Sequence, residues 1–400
     1  MNRLLKLLLG FAVLISLIFI FQKIPVRENL GISFKDAHSE ASIKFKGLKE
    51  ARDFAVDVEG NYYIAFKNKI QVIEKNGKSY ELFKNFDLNI VSLCCAEKKL
   101  YYASDTSVYC YDIATDKISE CISGLPNMGD YKDSIVRLRG EILYVTVGAA
   151  TNSGVAGSDN GWILTMPYFH DIPPYLITLK GTNFGQEKTG AFQSYKSKSM
   201  NGQIISGHFP GNASLIIYNT KTAVLENFAY GIRNVKGMDF TSEGRLFASV
   251  GGMENRGLRP IIGDSDYLYE IQKGLWYGWP DYSGGDPVNS PRFKGKNGSQ
   301  VGFVLENHPD TNPPAPLYQC GATGEIGDVA VDSRGTLREK NTIFFYKGGS
   351  IFSFDKKGVL KEEFILPKKS TGCKMQFNDN QLLILDSTGN LYSIKNKNFN

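Results

Sequence analysis

Apolar and polar residues alternate along most of the chain, in short runs that are separated by turn-forming residues. The stretch FAVDVEGNYYIAFKNKIQVIEKNGKSYELF, residues 54–83, shows the pattern: four alternating runs are divided by EGN, a short corner and NGK. Such alternation is typical of strands with one buried face, and corners containing NG or EG tolerate the positive φ of tight hairpins. The stretch therefore predicts an antiparallel sheet of four strands.

The same pattern recurs at intervals of about 40 residues, which is the range of propeller blades. Further copies begin at residues 91, 134, 236, 328 and 373, and the segment from residue 213 supplies the outer strands of the third copy. Long insertions interrupt the third and fourth copies. The predicted fold class is all-β, a six-bladed β-propeller over residues 51–396. A pair of β-sandwiches, the alternative, would show no such period.

The last copy has no obvious fourth strand. The segment ASIKFKGL, residues 41–48, alternates in the same way and lies in a linker of residues 27–50 that precedes the first copy. We expect this segment to supply the missing strand and to close the ring.

The N-terminus carries a targeting signal. Basic residues stand on both sides of the apolar run LLLGFAVLISLIFIF, residues 7–21, which is the pattern of an export signal or a signal anchor. The run is slightly shorter than the roughly 20 residues of a spanning helix, and no small-x-small cleavage site follows it directly. We therefore predict a hydrophobic anchor helix over residues 1–26, with the body outside the cytoplasm. A cleaved signal peptide and a secreted body is the alternative.

Composition narrows the function classes. The net charge of +5 comes from scattered lysines rather than a basic stripe, so the sequence gives no indication of nucleic-acid binding. None of the six cysteines forms a CxxC pair. In an oxidising compartment, Cys110 and Cys121 are close enough in sequence for a disulfide, but small buried thiols are an equally good interpretation.

Two segments carry unusual polar or aromatic residues. In GIRNVKGMDFTSEGRLFASVGG, residues 231–252, an Arg-Asn pair precedes one predicted strand and a double glycine follows the next. The fourth-copy insertion contains GLWYGWPDYSGGDP, whose aromatic residues could stack on a sugar or a planar cofactor. The alternative is that these aromatic residues fill the junctions between blades.

The motifs GIRNVKGMDFTSEGRL and DYLYEIQKGLWYGWPDYSGGDP resemble the glucose/sorbosone dehydrogenase family, and LYVTVGAATNSG and FAYGIRN extend the resemblance upstream. The family comprises six-bladed propellers related to soluble quinoprotein glucose dehydrogenase. The resemblance implies an oxidoreductase that uses pyrroloquinoline quinone (PQQ) and Ca²⁺ to oxidise a hydroxyl group of a sugar or alcohol.

The resemblance also implies roles for particular residues. Arg233, Asn234 and Lys236 would bind the cofactor, and the backbone carbonyls of Gly252 and Met253 would bind Ca²⁺. A planar guanidinium suits a carboxylate or quinone oxygen, and main-chain oxygens suit a hard cation. The alternative for Arg233 and Asn234 is a hydrogen-bonded clamp between blades. Asn152, Trp279 and Asp281 are the residues expected to contact substrate.

The chain departs from the family at the catalytic base. The family has a histidine where this chain reads NMGDYKDSIVRLRG, so Tyr131 stands at the corresponding position, with Asp130 beside it. A phenol is a weak base at neutral pH. His170 and His208, in the third-copy insertion, are alternative bases.

Two functions remain open. One is a membrane-anchored dehydrogenase of the quinoprotein type. The other is a propeller that has lost the redox step and binds a carbohydrate, a wall component or a protein.

Overall fold

The computed structural model describes residues 30–397, so the predicted anchor or signal segment lies outside the described residues. The described chain forms six main antiparallel sheets and no α-helix. Six hydrophobic clusters each join two neighbouring sheets, and one of them joins the last sheet to the first. The sheets therefore close into a ring, and the predicted six-bladed propeller is confirmed.

The strands follow in chain order. The two strands before the first blade are β1 (Ser33–Phe34) and β2 (Ser39–Phe45). Blade 1 consists of β3 (Asp53–Val56), β4 (Tyr62–Phe66), β5 (Lys69–Ile73) and β6 (Ser79–Lys84). Blade 2 consists of β7 (Ile90–Ala96), β8 (Lys99–Ser104), β9 (Ser107–Asp112) and β10 (Lys117–Ile122).

Blade 3 begins with β11 (Val136–Arg139) and β12 (Ile142–Val147). Its insertion holds a 3-10 turn (Gly161–Leu164), β13 (Ile177–Lys180), β14 (Asn183–Phe184), β15 (Thr189–Gly190) and β16 (Asn201–Ile205). The blade ends with β17 (Ser214–Asn219) and β18 (Leu225–Tyr230).

Blade 4 begins with β19 (Val235–Phe240), β20 (Leu246–Val250) and β21 (Tyr267–Ile271). Its insertion holds β22 (Tyr282–Ser283), β23 (Asp286–Pro287) and a 3-10 turn (Lys296–Gly298), and β24 (Tyr318–Gln319) completes the sheet. Blade 5 consists of β25 (Ile326–Asp332), β26 (Thr342–Lys347), β27 (Ser350–Phe354) and β28 (Leu360–Ile365). Blade 6 consists of β29 (Cys373–Asn378), β30 (Gln381–Asp386) and β31 (Leu391–Asn396).

The N-terminal strands complete the last two blades. β2 pairs antiparallel with β31, with Ala41 opposite Ile394, and so supplies the fourth strand of blade 6. It begins two residues before the segment 41–48 identified in the sequence. β1 pairs with β28 as a fifth strand on blade 5, which the sequence analysis did not predict.

The ring has two ends, which we call the mouth and the base. The innermost strands β3, β7, β11, β19, β25 and β29 begin at the mouth and end at the base. Because neighbouring strands are antiparallel, the loop between the second and third strands of a blade also lies at the mouth. Residues 148–213 of blade 3 and 251–266 of blade 4 are such loops, and they enclose a hydrophobic cluster of their own together with the other blade 4 insertion.

Buried aspartates on the innermost strands tie neighbouring blades together. The Asp53 carboxylate accepts the backbone N–H of Leu93 at 2.9 Å, and the Asp239 carboxylate accepts that of Val331 at 2.7 Å. Arg137 lies within the channel, with its guanidinium 3.6 Å from Asp53. Charged hydrogen bonds of this kind contribute roughly 1.5–3 kcal/mol each and hold the blades in register. Within residues 30–397, no helix is long and apolar enough to cross a bilayer.

Candidate functional site

A cleft of about 590 Å³ opens at the mouth of the ring. It is lined by the residues at which four innermost strands begin and by the loop that precedes β11. Its charged side chains are Arg52, Lys132, Lys236, Lys374, Asp130 and Asp133. Four cations face two carboxylates, and Asp130 is already paired, so the cleft favours an anionic ligand.

Three buried or half-buried polar side chains in the cleft have no protein partner among the described residues. The side chains of Asn234, Lys236 and Lys374 make no hydrogen bond or ion pair with any residue in the described range 30–397. Burial lowers the pKa of Lys236, and the nearby Arg233 guanidinium lowers it further. These side chains are therefore free to contact a ligand.

Arg233 is instead committed to protein atoms. Its Nε donates to the Asn152 carbonyl oxygen at 3.0 Å and its Nη1 donates to the Gly251 carbonyl oxygen at 3.2 Å. Its Nη2 donates to Asn152 Oδ1 at 2.8 Å and contacts the Tyr131 hydroxyl and, at 3.2 Å, Glu254. Burial lowers the pKa of Arg233 to about 10, and Glu254 opposes that shift. The geometry favours the clamp, the alternative that the sequence left open for Arg233.

Tyr131 lines the cleft between two guanidinium groups. The Arg233 guanidinium carbon lies 4.1 Å from the centre of the Tyr131 ring, within the range of cation–π contact. The Tyr131 hydroxyl accepts a hydrogen bond from Arg256 Nη2 at 2.8 Å, in addition to its contact with Arg233. The sequence analysis identified both Tyr131 and Arg233 as site residues, but it did not predict their contact and it missed Arg256.

Asp130 is held on both carboxylate oxygens. Oδ2 accepts hydrogen bonds from Arg256 Nη2 at 2.5 Å and Asn160 Nδ2 at 2.8 Å, while Oδ1 accepts one from Trp162 Nε1 at 2.9 Å. Both carboxylate oxygens are therefore already engaged as hydrogen-bond acceptors. Asp130 therefore orients Arg256, whose Nη2 also reaches the Tyr131 hydroxyl.

The turn after β20 is fixed by two buried carboxylates. Asp266 Oδ1 accepts the Gly252 N–H at 3.1 Å, and Asp264 Oδ2 accepts the Met253 N–H at 2.6 Å. Because N–H and C=O point in opposite directions across a trans peptide, the Gly252 carbonyl oxygen points away from Asp264. A Cβ on Gly252 would lie 2.0 Å from the Ser265 carbonyl oxygen, so only glycine fits there.

The carbonyl oxygens of Gly252 and Met253 accept no hydrogen bond from any described residue. They are therefore available as metal ligands. No group of three or more His, Cys, Asp or Glu side chains within residues 30–397 is arranged to hold a metal ion. Calcium at this turn would depend on main-chain oxygens and on oxygens from a bound cofactor.

The three residues expected to contact substrate are buried behind the cleft. Asn152 Oδ1 accepts hydrogen bonds from Arg233 Nη2 and from the Glu254 N–H. The Asn152 carbonyl oxygen accepts one from Trp279 Nε1 at 3.1 Å. Asp281 is fully buried and accepts a hydrogen bond from Arg259 at 2.7 Å. With no open surface, Asn152, Trp279 and Asp281 support the loop that holds Arg233 rather than face a substrate.

The histidine alternatives also lie elsewhere. Nδ1 of His170 contacts the Asp171 carbonyl oxygen, and Nδ1 of His208 contacts that of Pro210. Neither residue lines the cleft. The aromatic residues Trp276, Tyr277 and Tyr282 are buried too. They therefore fill the junctions between blades rather than form a surface for stacking.

Sequence reasoning missed Lys374, Glu254 and Arg256. Lys374 was detectable because CKMQF in copy six and VKGMDF in copy four both place a lysine at the start of an innermost strand. Glu254 and Arg256 follow the double glycine in a loop without periodicity, and no sequence signal connects them to Tyr131.

The chain aligns with solved structures of carbohydrate-active enzymes and sugar dehydrogenases. The calcium structure of a Trichoderma reesei carbohydrate-active enzyme of family AA12 aligns with a TM-score of 0.62 at 14% identity. The alignment covers 94% of this chain and 99% of that enzyme. The holo PQQ domain of pyranose dehydrogenase from Coprinopsis cinerea aligns with a TM-score of 0.60 at 11% identity, over 92% of this chain and 98% of that domain. The apo soluble aldose sugar dehydrogenase from Escherichia coli aligns with a TM-score of 0.58 at 11% identity, over 90% of this chain and 99% of that enzyme.

At these identities the similarity establishes the fold. No protein-family profile matches the chain, and no curated protein matches its sequence. The fold is that of the PQQ-dependent sugar dehydrogenases, and the resemblance seen in the motifs therefore holds at the level of architecture.

Proposed function

We propose that the protein is a quinoprotein-type dehydrogenase that oxidises a hydroxyl group of a sugar or alcohol. The observation that carries the proposal is the cationic cleft at the mouth, with Asn234, Lys236 and Lys374 free to bind, on a propeller of this fold. We further propose that residues 1–26 anchor the protein, with the propeller outside the cytoplasm.

The residues of the cleft fit PQQ, a planar tricarboxylate with a quinone edge. Lys236 and Lys374 supply ammonium groups for its carboxylates, and the Asn234 amide supplies a hydrogen-bond donor. The proposed site differs from the sequence expectation at Arg233, whose role is to hold Tyr131 and the turn at Gly251. The free carbonyls of Gly252 and Met253 are the proposed protein ligands of Ca²⁺.

When bound, PQQ supplies an acceptor for the hydride that leaves the substrate carbon. The protein must accept the proton of the substrate hydroxyl, and Tyr131 is the group in the cleft that we propose for this role. The Tyr131 oxygen contacts the Arg233 and Arg256 guanidinium groups, and its O–H donates to Glu254 Oε1 at 3.4 Å, so Glu254 can accept the phenol proton as Tyr131 takes that of the substrate. Asp130 keeps Arg256 in place and does not itself accept the proton.

Oxidation assays test the proposal. The full chain, loaded with PQQ and Ca²⁺, is expected to reduce an artificial electron-acceptor dye in the presence of at least one aldose or alcohol. Tyr131→Phe should lower turnover by about 100-fold or more, because a general base contributes on that order, and should leave cofactor affinity unchanged.

Asp130→Asn provides the comparison. It weakens the contacts of Asp130 with Arg256, Asn160 and Trp162 but keeps the Tyr131 hydroxyl, so its loss of turnover should be smaller than that of Tyr131→Phe. Binding of PQQ without reduction of the dye by any substrate would support the propeller that has lost the redox step. Full activity in Tyr131→Phe would rule out Tyr131 as the base.

A further inference from the structure

The blade 3 insertion exposes large apolar side chains. Leu164 is 91% exposed and Tyr168 is 85% exposed, both in or beside the 3-10 turn Gly161–Leu164. Exposed apolar side chains concentrated in one segment indicate an interaction surface.

A two-stranded ribbon extends this surface. β13 and β16 pair with Thr178 opposite Ile204. Ile177 and Leu179 point into the hydrophobic cluster beneath the insertion, so Leu176 and Ile204 occupy the outer face, where both are more than 60% exposed. We call Leu164, Tyr168, Leu176 and Ile204 the apolar mouth face.

The charge around this face is net positive, with one exposed carboxylate beside β13, that of Glu306, whose N–H donates to the Thr178 carbonyl oxygen at 2.8 Å. The insertion exposes one carboxylate without an ion pair, Glu187, because Asp159 is paired with Arg256 at 2.6 Å. The exposed lysines of the insertion are Lys180, Lys188, Lys196 and Lys198. Apolar side chains among lysines complement an anionic lipid surface.

The described chain also begins at the mouth. β1 pairs with the end of β28, with Ser33 opposite Ile365, and Gly31 packs against Pro367, which leads toward β29. Eight residues, 22–29, separate Leu30 from the apolar run 7–21. A fully extended chain spans about 3.3–3.6 Å per residue, so the mouth lies within about 30 Å of the end of that run.

We infer that the apolar mouth face rests on an anionic lipid bilayer, so that the cleft opens toward the membrane surface. The inference rests on the anchor of the proposed function but not on the proposed chemistry. A ligand or electron acceptor would then reach the cleft from the membrane side of the protein.

Hydrogen–deuterium exchange tests this orientation. The full chain is placed in nanodiscs of phosphatidylcholine alone, or of phosphatidylcholine mixed with phosphatidylglycerol. In the mixed discs, peptides over residues 161–169 and 200–209 should exchange roughly tenfold more slowly than in the neutral discs. Peptides over the base turns, residues 57–61 and 355–359, should exchange equally in both.

Matched variants separate the surface from general effects. Leu164→Ser combined with Tyr168→Ser and Ile204→Ser should abolish the slowing at the mouth. Val58→Ser combined with Val359→Ser removes exposed apolar side chains at the base and should leave it unchanged. Near-UV circular dichroism checks that both variants are folded.

Two results would overturn the inference. If the chain elutes with the discs but the mouth and base peptides respond alike, the orientation is wrong and the anchor stands. If the chain does not elute with either disc, the anchor and the orientation both fail. Neither result bears on PQQ binding, which is measured without lipid variation.

Discussion

Replacing Arg233 by lysine tests whether this buried guanidinium organises the mouth. Three of its hydrogen bonds, to Asn152 O at 3.0 Å, Gly251 O at 3.2 Å and Asn152 Oδ1 at 2.8 Å, converge from different directions. One ammonium group on an unbranched chain can replace only one of these three hydrogen bonds, so two charged hydrogen bonds are lost. Asn152 keeps Trp279 Nε1 and the Glu254 N–H as donors, whereas the Gly251 carbonyl oxygen has no other donor among the described residues. At roughly 1.5–3 kcal/mol for each charged hydrogen bond, the loss of two should lower the free energy of unfolding by about 3–6 kcal/mol.

The chain offers a matched control in Arg245. Its guanidinium makes a two-pronged pair with Glu270, at 2.8 and 2.6 Å, but its side chain is 56% exposed. Arg245→Lys should therefore cost less than about 1 kcal/mol. Urea unfolding of the full chain, followed by near-UV circular dichroism, measures both losses. Equal losses for Arg233→Lys and Arg245→Lys would refute the role assigned to Arg233.

Three further perturbations follow from buried groups. Asp281→Asn should destabilise the fold by about 3 kcal/mol or more, because it leaves Arg259 as a buried unpaired charge. Asp286→Asn removes the half-exposed partner of Arg292 and should cost less than about 1 kcal/mol in the same urea assay. The Cys121 thiol donates a hydrogen bond that lowers the pKa of Cys110 to about 7, so alkylation of reduced protein, followed by mass spectrometry, should modify Cys110 faster as pH rises through 7. Burial raises the pKa of Asp239 to about 6, so the folded state retains a proton that the unfolded chain loses near pH 4. The stabilisation from this proton should disappear between pH 4 and 6, and the unfolding free energy of wild type relative to Asp239→Asn should fall across that window.

The architecture was predictable because each blade is a local pattern. The alternation in residues 54–83 and its copies predicts four-stranded units, and the missing strand of the last copy indicates that an N-terminal segment closes the ring. β2 now occupies that position beside β31. β1 was not predicted because a strand of two residues is too short to show an alternation of apolar and polar residues.

The site was less predictable because its partners come from distant loops. Asn234 and Lys236 begin an innermost strand, and the position of that strand in the repeat directs them to the mouth. Arg233 is one residue earlier, yet its hydrogen bonds to Asn152 and Tyr131 cross 81 and 102 positions of the chain. Whether a guanidinium binds a ligand or clamps loops depends on such contacts, which no local pattern encodes.

Aromatic residues near a glycine-rich turn were also ambiguous. Trp279 and Tyr282 would suit a stacking site, but Trp279 donates its indole N–H to a backbone carbonyl and packs with the insertion core. Composition alone cannot distinguish a stacking surface from a buried junction, because both use large rings with a polar edge.

Calorimetric titration of the full chain with PQQ in the presence of Ca²⁺ tests the central claim, that the cationic cleft binds this cofactor. Wild type should bind saturably, and Lys236→Ala combined with Lys374→Ala should weaken binding by at least about 100-fold, since each of the two charged contacts contributes roughly 1.5–3 kcal/mol. Lys356→Ala combined with Lys357→Ala, at the base, should bind as wild type does. No binding by wild type, or equal binding by both double variants, would contradict the account.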